Sequence, residues 1–220
     1  MKFGVIGAKG RMGKDIIELF TSKGHILVFE YDLNYHREKD IPEVIIDFSL
    51  PDALEQTISF CEKYKSGLVI GTTGFNQNDF EKLKKLGEKI TVIQSYNFST
   101  GIQILLTLIQ KMNTLIDDAW DIELVETHHR YKKDAPSGTA IMLKNNIDKD
   151  IPIHSIRIGG VPGIHSILYG NDGEVIELKH TAISRRAFSI GALKSAEFII
   201  KNGKNNGFFT FSDIISKGVL

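Results

Sequence analysis

The 220-residue sequence predicts an α/β fold in which a doubly wound parallel sheet is followed by a smaller α+β region. Over roughly the first hundred residues, short apolar runs alternate with amphipathic stretches, which is typical of a parallel sheet with helices on both faces. Later runs are strand-like and include a turn at Asn171-Asp172-Gly173, which indicates a mixed or antiparallel sheet. We therefore predict a Rossmann-like domain and a second domain that has its own sheet.

The first half contains five apolar runs that we predict as strands, at 3–6, 26–31, 44–48, 68–70 and 91–94. Helices are predicted between them at 11–23, 51–64 and 76–86. Gly24 stands where the first helix should end, and Pro51 stands where the second should begin. This alternation predicts a dinucleotide-binding domain over 1–99.

The second half begins with a predicted helix at 101–116 and a strand at 120–126. A helix opens near Ser137, and strands follow at 153–158, 164–168 and 174–181. A closing helix at 186–201 and short segments around 208–211 and 213–216 end the chain. We predict a second domain over 100–185, with 186–220 completing the first domain; that the second domain binds the substrate and forms the oligomer contacts is what a family resemblance implies, once the motifs that carry it are considered.

Composition limits the classes of partner. Lys plus Arg equals Asp plus Glu at 27 each, so no overall charge attracts nucleic acid or an anionic membrane, and small-molecule partners are expected. The single cysteine, Cys61, cannot form a disulfide within the chain, and its place in an apolar helical pattern predicts a buried thiol. No apolar stretch resembles a membrane span or a signal peptide, so we expect a cytoplasmic protein.

A glycine-rich loop connects the first predicted strand to the first helix, with the spacing Gly7-x-x-Gly10-x-x-Gly13. Glycines in this context let a backbone approach a pyrophosphate at a helix amino terminus. Asp32 ends the second strand, where a carboxylate would bind the ribose of a dinucleotide, and Glu30 on the same strand face is the alternative. No basic residue follows Asp32 before Arg37, so NADH is favoured and NADPH stays open.

The run from His128 to Ala140 combines adjacent imidazoles, a cationic cluster and a small-residue helix start. Imidazole titrates near neutrality, so a histidine beside Arg and Lys can act as an acid or a base. Lys132, Lys133 and the backbone N–H groups of a helix that starts at Ser137 could hold an anion. A solvated loop is the alternative interpretation of the same charges.

The sequence does not predict a catalytic metal. The adjacent His128 and His129 do not present both rings to one ion as a helical i, i+4 pair would. His25, His36 and His154 have no second ligand at metal spacing. These histidines are interpreted as surface residues or as satisfied polar residues.

Five segments occur in an order that resembles one known family. They are the glycine loop, residues 71–75 (Gly-Thr-Thr-Gly-Phe), residues 97–99 (Asn-Phe-Ser), the run from His128 to Ala140, and the stretch 184–192. Together they resemble dihydrodipicolinate reductase, also called 4-hydroxy-tetrahydrodipicolinate reductase. The resemblance implies an oxidoreductase that transfers a hydride from NADH or NADPH to 4-hydroxy-tetrahydrodipicolinate, in the diaminopimelate route to lysine, and it implies a homotetramer.

The resemblance also implies roles for individual residues. His128 matches the proton donor or acceptor of the family, and Lys132 matches its second proton donor. His129 and the pair Gly138-Thr139 match substrate contacts. The residues that match cofactor contacts are Gly7, Ala8, Lys9, Gly10, Arg11, Met12, Asp32, Gly71, Thr72, Thr73, Ser95, Tyr96, Asn97 and Phe98.

Two residues differ from the pattern of some family members and bear on the choice of cofactor. Leu33 and Leu50 stand where those members carry arginines that favour the phosphorylated cofactor.

Two alternative functions stay open at this point. Another Rossmann-type reductase, such as an aspartate dehydrogenase, should share the glycine loop but lack the His-His run. A nucleotide-sensing module would not need paired proton donors. For His165, His180 and Arg185 the sequence leaves functional and structural roles open.

Overall fold

The structure is a computed structural model that describes residues 1–203 and 205–216. The chain forms two compact units. Among the described residues, the first unit contains 1–98 together with 188–203 and 205–216, and the second contains Ser99–Ala187. Each unit has its own sheet.

Helices and strands alternate along the chain until residue 98, apart from the three consecutive strands β2, β3 and β4, and their order is more varied afterwards. The elements of the first stretch are β1 (Lys2–Ile6), α1 (Arg11–Ser22), β2 (Ile26–Asp32), β3 (Tyr35–Glu38), β4 (Val44–Asp47), α2 (Leu54–Tyr64), β5 (Gly67–Ile70), α3 (Gln77–Gly87) and β6 (Thr91–Gln94). The remaining elements are α4 (Thr100–Met112), β7 (Asp121–His128), α5 (Gly138–Lys144), β8 (Ile153–Arg157), β9 (Gly163–Gly170), β10 (Val175–Ala182), α6 (Arg186–Lys201), β11 (Gly207–Thr210) and α7 (Phe211–Ser216).

The sheet of the first unit has the strand order β11-β6-β5-β4-β1-β2-β3. All neighbouring strands are parallel except β3, which runs antiparallel to β2. Every residue of β4, β5 and β6 is buried, because apolar clusters lie on both faces of the sheet. The predicted doubly wound α/β fold is confirmed.

The register of this sheet brings four loops to one edge. Ile6 pairs with Asp47, Asp47 pairs with Ile70, and Ile70 pairs with Gln94, so β1, β4, β5 and β6 all end at the same level. The glycine loop and the segments that follow β4, β5 and β6 therefore start side by side. In a parallel α/β sheet this is the edge at which ligands bind.

The predicted strands and helices of the first unit are confirmed, with one strand missed. β3 was not predicted because it is an edge strand of mostly exposed polar residues, which leaves no apolar run to detect. The helix predicted at 51–64 begins as a 3₁₀ turn, Pro51–Ala53, before α2. The two short segments predicted near the end of the chain are β11, which pairs with β6, and α7.

The second unit contains a sheet with the strand order β10-β9-β7-β8. β9 is antiparallel to both β7 and β10, and β8 is parallel to β7, so the sheet is mixed. Apolar side chains of α4 and α5 pack on one of its faces, where Ile102, Leu143, Leu124 and Tyr169 are buried. This confirms the expectation of a mixed or antiparallel sheet.

Several predicted boundaries in the second unit were wrong; the strand predicted at 164–168, for example, is β9 and runs from Gly163 to Gly170. The helix predicted at 101–116 ends at Met112, where the Leu115 N–H bonds to the Met112 carbonyl at 2.9 Å and tightens the chain into a turn. The strand predicted at 120–126 continues to His128, because that residue still pairs with Arg157 of β8. His128 is thus fixed as the last residue of a central strand.

Cross-strand pairing collects the polar side chains of the second sheet. Glu126 of β7 pairs with His165 of β9 and with Ser155 of β8, and His165 pairs with His180 of β10. Side chains that are paired across a sheet lie on the same face, so these four residues form one row. This row lies on the same face of the sheet as the apolar residues around Tyr169, so that face is apolar near Tyr169 and polar near Glu126.

The sequence predicts that the Cys61 thiol is buried and contains no apolar stretch that resembles a membrane span. Cys61 is buried on α2 within an apolar cluster, and this burial raises the pKa of its thiol. The expected buried thiol is confirmed. Within the part of the chain that the structure describes, no helix has the length and apolar character needed to cross a bilayer.

The close approach of α1 to β1 generates a stability prediction. A Cβ at Gly13 would overlap the Gly7 carbonyl oxygen and would lie 2.9 Å from Ala8 Cα. We expect Gly13→Ala to lower the free energy of unfolding by about 1–3 kcal/mol, measured by urea denaturation. The control is Gly160→Ala, since a Cβ at Gly160 meets nothing within 4 Å. Equal stability of the two variants would contradict the packing argument.

Candidate functional site

The glycine loop forms an anion cradle at the start of α1. Gly7 has φ 72°, and the N–H groups of Gly7 and Ala8 bond to the Tyr31 carbonyl at 2.8 and 3.2 Å. Gly10 is the N-cap of α1, and no side chain caps the helix there. The first-turn N–H groups and the positive end of the helix dipole therefore face the loop, which fits a pyrophosphate.

Asp32 stands beside this cradle at the end of β2. Its carboxylate accepts hydrogen bonds from the N–H groups of Lys9 and Leu33, each at 2.9 Å. Glu30 is buried instead and accepts from the Tyr35 hydroxyl and Arg37 Nη1, each at 3.3 Å. The geometry thus favours Asp32 over Glu30 as the carboxylate that meets a ribose.

The loops that follow β4 and β5 are held together by Asp47; the sequence places Asp47 at this edge of the sheet but does not predict that it joins the two loops. Its buried carboxylate accepts from the Ser49 hydroxyl at 2.6 Å, the Thr57 hydroxyl at 2.7 Å and the Thr72 hydroxyl at 3.0 Å. Burial raises the pKa of Asp47, and these hydrogen bonds oppose the increase. An aspartate that ends a wholly apolar strand, followed two residues later by serine, is the signal that could have indicated this role.

Aromatic packing fixes the remaining segments of the same edge. A Cβ at Gly71 would overlap the Phe48 ring, whose centroid lies 5.3 Å from that of Phe98. The Ser95 hydroxyl donates to the Asn97 carbonyl at 2.9 Å and shapes the turn between them. Gly71 is therefore needed for ring packing, and Phe98 is a buried core residue.

The other predicted cofactor residues of this unit lie around the same edge. Lys9 Nζ lies 3.6 Å above the centroid of the Tyr35 ring, a cation–π contact on the rim of the glycine loop. Arg11 and Met12 are the first residues of α1, and Thr73 is exposed beyond β5. Tyr96 is 46% exposed, so its ring is available to a ligand.

In the second unit, His128 is paired with a buried carboxylate. His128 Nδ1 contacts Glu126 Oε2, two residues earlier on β7. Arg157 of β8 binds the same carboxylate with both ends of its guanidinium, Nη2 to Oε1 at 2.7 Å and Nη1 to Oε2 at 3.0 Å. The Ser137 N–H also reaches Glu126 Oε1 at 3.3 Å, so three segments converge on one side chain.

The charges of this cluster explain the protonation states. Burial alone would raise the pKa of Glu126, but hydrogen bonds from Arg157, Ser155 and His128 hold it at about 2. Burial lowers the pKa of His128, while Glu126 acts in the opposite direction. Glu126 is therefore ionised, and a carboxylate can only accept from His128, so Nδ1 carries a proton and Nε2 is the exchangeable position.

His165 also belongs to this cluster, and the sequence left open whether its role is functional or structural. Its Nε2 lies 3.4 Å from the Ser137 hydroxyl, and its ring centroid lies 5.2 Å from that of His128. Burial and the nearby His128 lower the pKa of His165 to about 3. His180 lies further along the same row, with Nε2 3.2 Å from the Ser99 hydroxyl. Both serines are helix N-caps, so these contacts support a structural role for the two histidines.

The remaining predicted substrate residues follow His128 in a turn. Lys132 Nζ pairs with Asp134 at 2.9 Å, and the Lys132 N–H bonds to the His129 carbonyl at 3.1 Å. His129 Nδ1 is buried, and no described residue bonds to it. Gly138 and Thr139 open α5, and a Cβ at Gly138 would meet nothing within 4 Å, so the backbone there is accessible. Ser137 caps this helix through a 3.2 Å bond from the Ala140 N–H, as expected.

No metal site is found among the described residues, and Arg185 lies at the surface. Across residues 1–203 and 205–216, no group of at least three His, Cys, Asp or Glu side chains could hold a metal ion. Arg185 is exposed just before α6. Leu33 and Leu50, which stand at possible arginine positions, are 85% and 63% exposed.

Family models match both halves of the chain. The model described as dihydrodipicolinate reductase, N-terminus, matches residues 27–98, and the one described as dihydrodipicolinate reductase, C-terminus, matches residues 101–215. A relative from Thermosipho africanus named 4-hydroxy-tetrahydrodipicolinate reductase is 53% identical over 220 residues, which is the whole of both chains. A relative of the same name from Clostridium novyi is 34% identical and covers 95% of this chain and 96% of its own.

Solved structures share the fold. Dipicolinate-bound dihydrodipicolinate reductase from Paenisporosarcina sp. TG-14 has a TM-score of 0.80 at 22% identity, covering 97% of this chain and 99% of its own. Aspartate dehydrogenase from Thermotoga maritima has a TM-score of 0.51 at 13% identity, covering 90% of this chain and 96% of its own. At these identities the likeness concerns the fold alone.

The buried His165 generates a prediction about acid stability. Its pKa is about 3 in the folded chain and about 6.5 when exposed, so unfolding takes up a proton and stability falls as the pH drops from 6.5 towards 3. Between pH 7 and pH 4 the wild type should lose roughly 3 kcal/mol more unfolding free energy than His165→Gln. Urea denaturation at each pH measures this. The control, His154→Gln, changes an exposed histidine and should keep the wild-type slope; a wild-type slope in His165→Gln would contradict the argument.

Proposed function

The chain belongs to the dihydrodipicolinate reductase family, and from this we propose that it reduces 4-hydroxy-tetrahydrodipicolinate to tetrahydrodipicolinate with NADH or NADPH. The observation that carries the proposal is the His128–Glu126 pair at the end of β7, beside the exposed start of α5. It supplies a proton-transfer group next to a place for an anionic substrate. The reaction belongs to the diaminopimelate route to lysine.

The family match bears on the two alternatives that the sequence left open. Aspartate dehydrogenase from Thermotoga maritima shares the fold over 90% of this chain, but it is not the family whose models match residues 27–98 and 101–215. A nucleotide-sensing module would not need the ionised Glu126 that holds His128. Both observations favour the reductase.

The first unit has the features that a nicotinamide dinucleotide requires. In our proposal, the loop from Gly7 to Met12 holds the pyrophosphate, and Asp32 accepts from the adenosine ribose hydroxyls. Gly71 to Thr73 and Ser95 to Phe98 would surround the nicotinamide end. When bound, the reduced nicotinamide supplies the hydride. The part played by this chain is to hold the cofactor by backbone N–H groups and to shape the edge of the sheet.

The residues beside Asp32 favour NADH, and they leave NADPH possible. The Asp32 carboxylate would repel a 2′-phosphate, and Arg37 is already paired with Glu30 at 3.3 Å. Leu33 adds no positive charge at the position that follows. Lys9 lies over Tyr35 and is the cation of this rim that a phosphate could recruit.

The second unit has the groups that would hold the ring and supply its proton. The two carboxylates of the substrate require two anion-binding sites. We assign one to the side chains of His129 and Lys132, and the other to the backbone N–H groups of Gly138 and Thr139. Hydride addition to the conjugated ring leaves an enamine that must gain a proton at carbon. His128 Nε2 or Lys132 Nζ would deliver this proton, because the histidine is oriented by Glu126 and the lysine lies on the adjoining turn.

We further propose that the chain assembles as a homotetramer in the cytoplasm. The face of the second sheet that lies opposite the Glu126 row carries exposed apolar side chains, with Ile156 45% and Val175 67% exposed, and Ile158, just after β8, is 59% exposed. Apolar groups in such a position favour contact with a second copy. A buried thiol and a nicotinamide-dependent reaction agree with a reducing compartment. The balanced charge agrees with partners other than nucleic acid or membrane.

The assigned proton donors generate the first activity prediction. Oxidation of NADH and of NADPH is followed with substrate made in situ by the synthase that precedes this step. We expect His128→Gln and Lys132→Ala to lower turnover by about 10²–10⁴-fold with nearly unchanged cofactor affinity. The control is Lys144→Met, which removes a surface ion pair with Asp150 at the end of α5 and should keep wild-type turnover. Full turnover in His128→Gln would exclude the proton role, and no oxidation by the wild type would exclude the proposed function.

Asp32 generates a separate prediction about cofactor binding. Replacing its carboxylate by an amide in Asp32→Asn should weaken NADH about tenfold or more, since a charged acceptor for ribose hydroxyls is lost. NADPH should weaken less, because the same change removes a repulsive charge. Calorimetric titration of both cofactors measures the two affinities. Asp15→Asn, on the outer part of α1, is the control, and an equal loss for both cofactors would contradict the assignment.

A further inference from the structure

Arg157 makes several hydrogen bonds to the residues around His128, although the proposed proton transfer gives it no role. Its guanidinium binds both oxygens of Glu126 and also donates from Nη2 to the Asp134 carbonyl at 2.6 Å. Glu126 is 0% exposed, so its charge is not solvated by water. Arg157 is therefore the cation that makes the burial of this carboxylate possible.

We propose that Arg157 is a positioning residue for the reductase reaction: it holds Glu126 and offsets its charge, so that Glu126 orients His128 without converting it to a permanent imidazolium. The proposal rests on the proposed function, since it assigns a task to His128 as a proton carrier. It concerns a residue that acts through two others and does not touch the substrate.

The geometry defines which ring nitrogen exchanges the proton. The ionised Glu126 has no proton to donate, so the contact with His128 Nδ1 requires a proton on that nitrogen. In the neutral ring, Nε2 then has a free lone pair. A Cβ at Gly163 would lie 3.1 Å from this Nε2, so the glycine leaves the space beside it open. His128 is in this way prepared to accept or release a proton at Nε2 alone.

The charges around His128 are balanced. The charged and titratable groups that act on it are Glu126 on β7, Arg157 on β8, His165 on β9 and Lys132 on the turn after β7, where Lys132 is itself paired with Asp134. Glu126 raises the pKa of His128, Arg157 and Lys132 lower it, and His165 is neutral because burial and the nearby His128 lower its pKa to about 3. An unbalanced carboxylate would raise the pKa of a histidine by about 1–3 units.

This balance has a catalytic consequence. A proton carrier works best when its pKa lies near the working pH, because it must both hold and release the proton. Glu126 without Arg157 would stabilise the imidazolium strongly and retain the proton. With Arg157 in place, burial lowers the pKa of His128 and Glu126 still fixes the ring.

The test reads His128 directly in the full-length protein without ligand. ¹⁵N-histidine NMR reports the tautomer and the titration of each ring, and His128→Gln identifies the signals of His128. In the wild type we expect a neutral ring with the proton on Nδ1 at pH 7. In Arg157→Met the pKa of His128 should rise by about one unit or more. Arg157→Lys keeps the charge and should give a smaller shift, and the control Lys144→Met should give none.

Enzyme kinetics give a second readout that a purely structural role would not produce. In Arg157→Met the limb of the pH profile of kcat/KM that reports His128 should move to higher pH by the shift seen in NMR, with partial return in Arg157→Lys. A loss of activity that is the same at every pH would overturn the proposal. A charged ring at pH 7, or a proton on Nε2, in the wild type would overturn it without any variant. The NMR measurement needs no substrate. If His128 titrates as expected but the protein oxidises no cofactor, the proposed function is contradicted and the role of Arg157 in setting the charge of His128 is not.

Discussion

The structure of the second unit depends on the burial of one carboxylate, that of Glu126. A buried negative charge is costly unless it is paired and fully hydrogen-bonded, so the surrounding segments must meet at this point. Arg157 brings the end of β8, Ser137 brings the start of α5, and His128 completes the set from the same strand. The position of the helix start and the orientation of the imidazole are thus consequences of one electrostatic requirement.

The first unit satisfies a similar requirement in a different way. Asp47 also lies on a central strand and is also buried, but its side-chain donors are the neutral hydroxyls of Ser49, Thr57 and Thr72. Without a cation beside it, burial raises the pKa of Asp47, whereas Arg157 and its neighbours hold that of Glu126 at about 2. The first arrangement joins two loops of the sheet edge through hydroxyl donors, and the second holds an ionised carboxylate that orients His128 in the proposed reaction.

The sequence predicted most of the fold because its elements are set by local patterns. The closing helix at 186–201 has the predicted bounds, and the apolar strands of the first unit lie where the runs placed them. β3 was missed because an edge strand needs no apolar run. The site was predicted through one segment, from His128 onward, since its residues are close in sequence. Arg157 and His165 join that segment only through strand register, which no local pattern reveals.

The roles that we propose for the two units follow from the kind of group that each ligand requires. A pyrophosphate is bound well by backbone N–H groups, so that site needs glycines and a helix start and tolerates variation in most side chains. Proton transfer to carbon needs one titratable group with a controlled pKa, and that control requires buried charges with specific partners. The glycine loop can therefore be predicted from the spacing of its glycines alone. The residues of the proposed proton-transfer site can be identified as a cluster only when the pairing of β7, β8 and β9 is known.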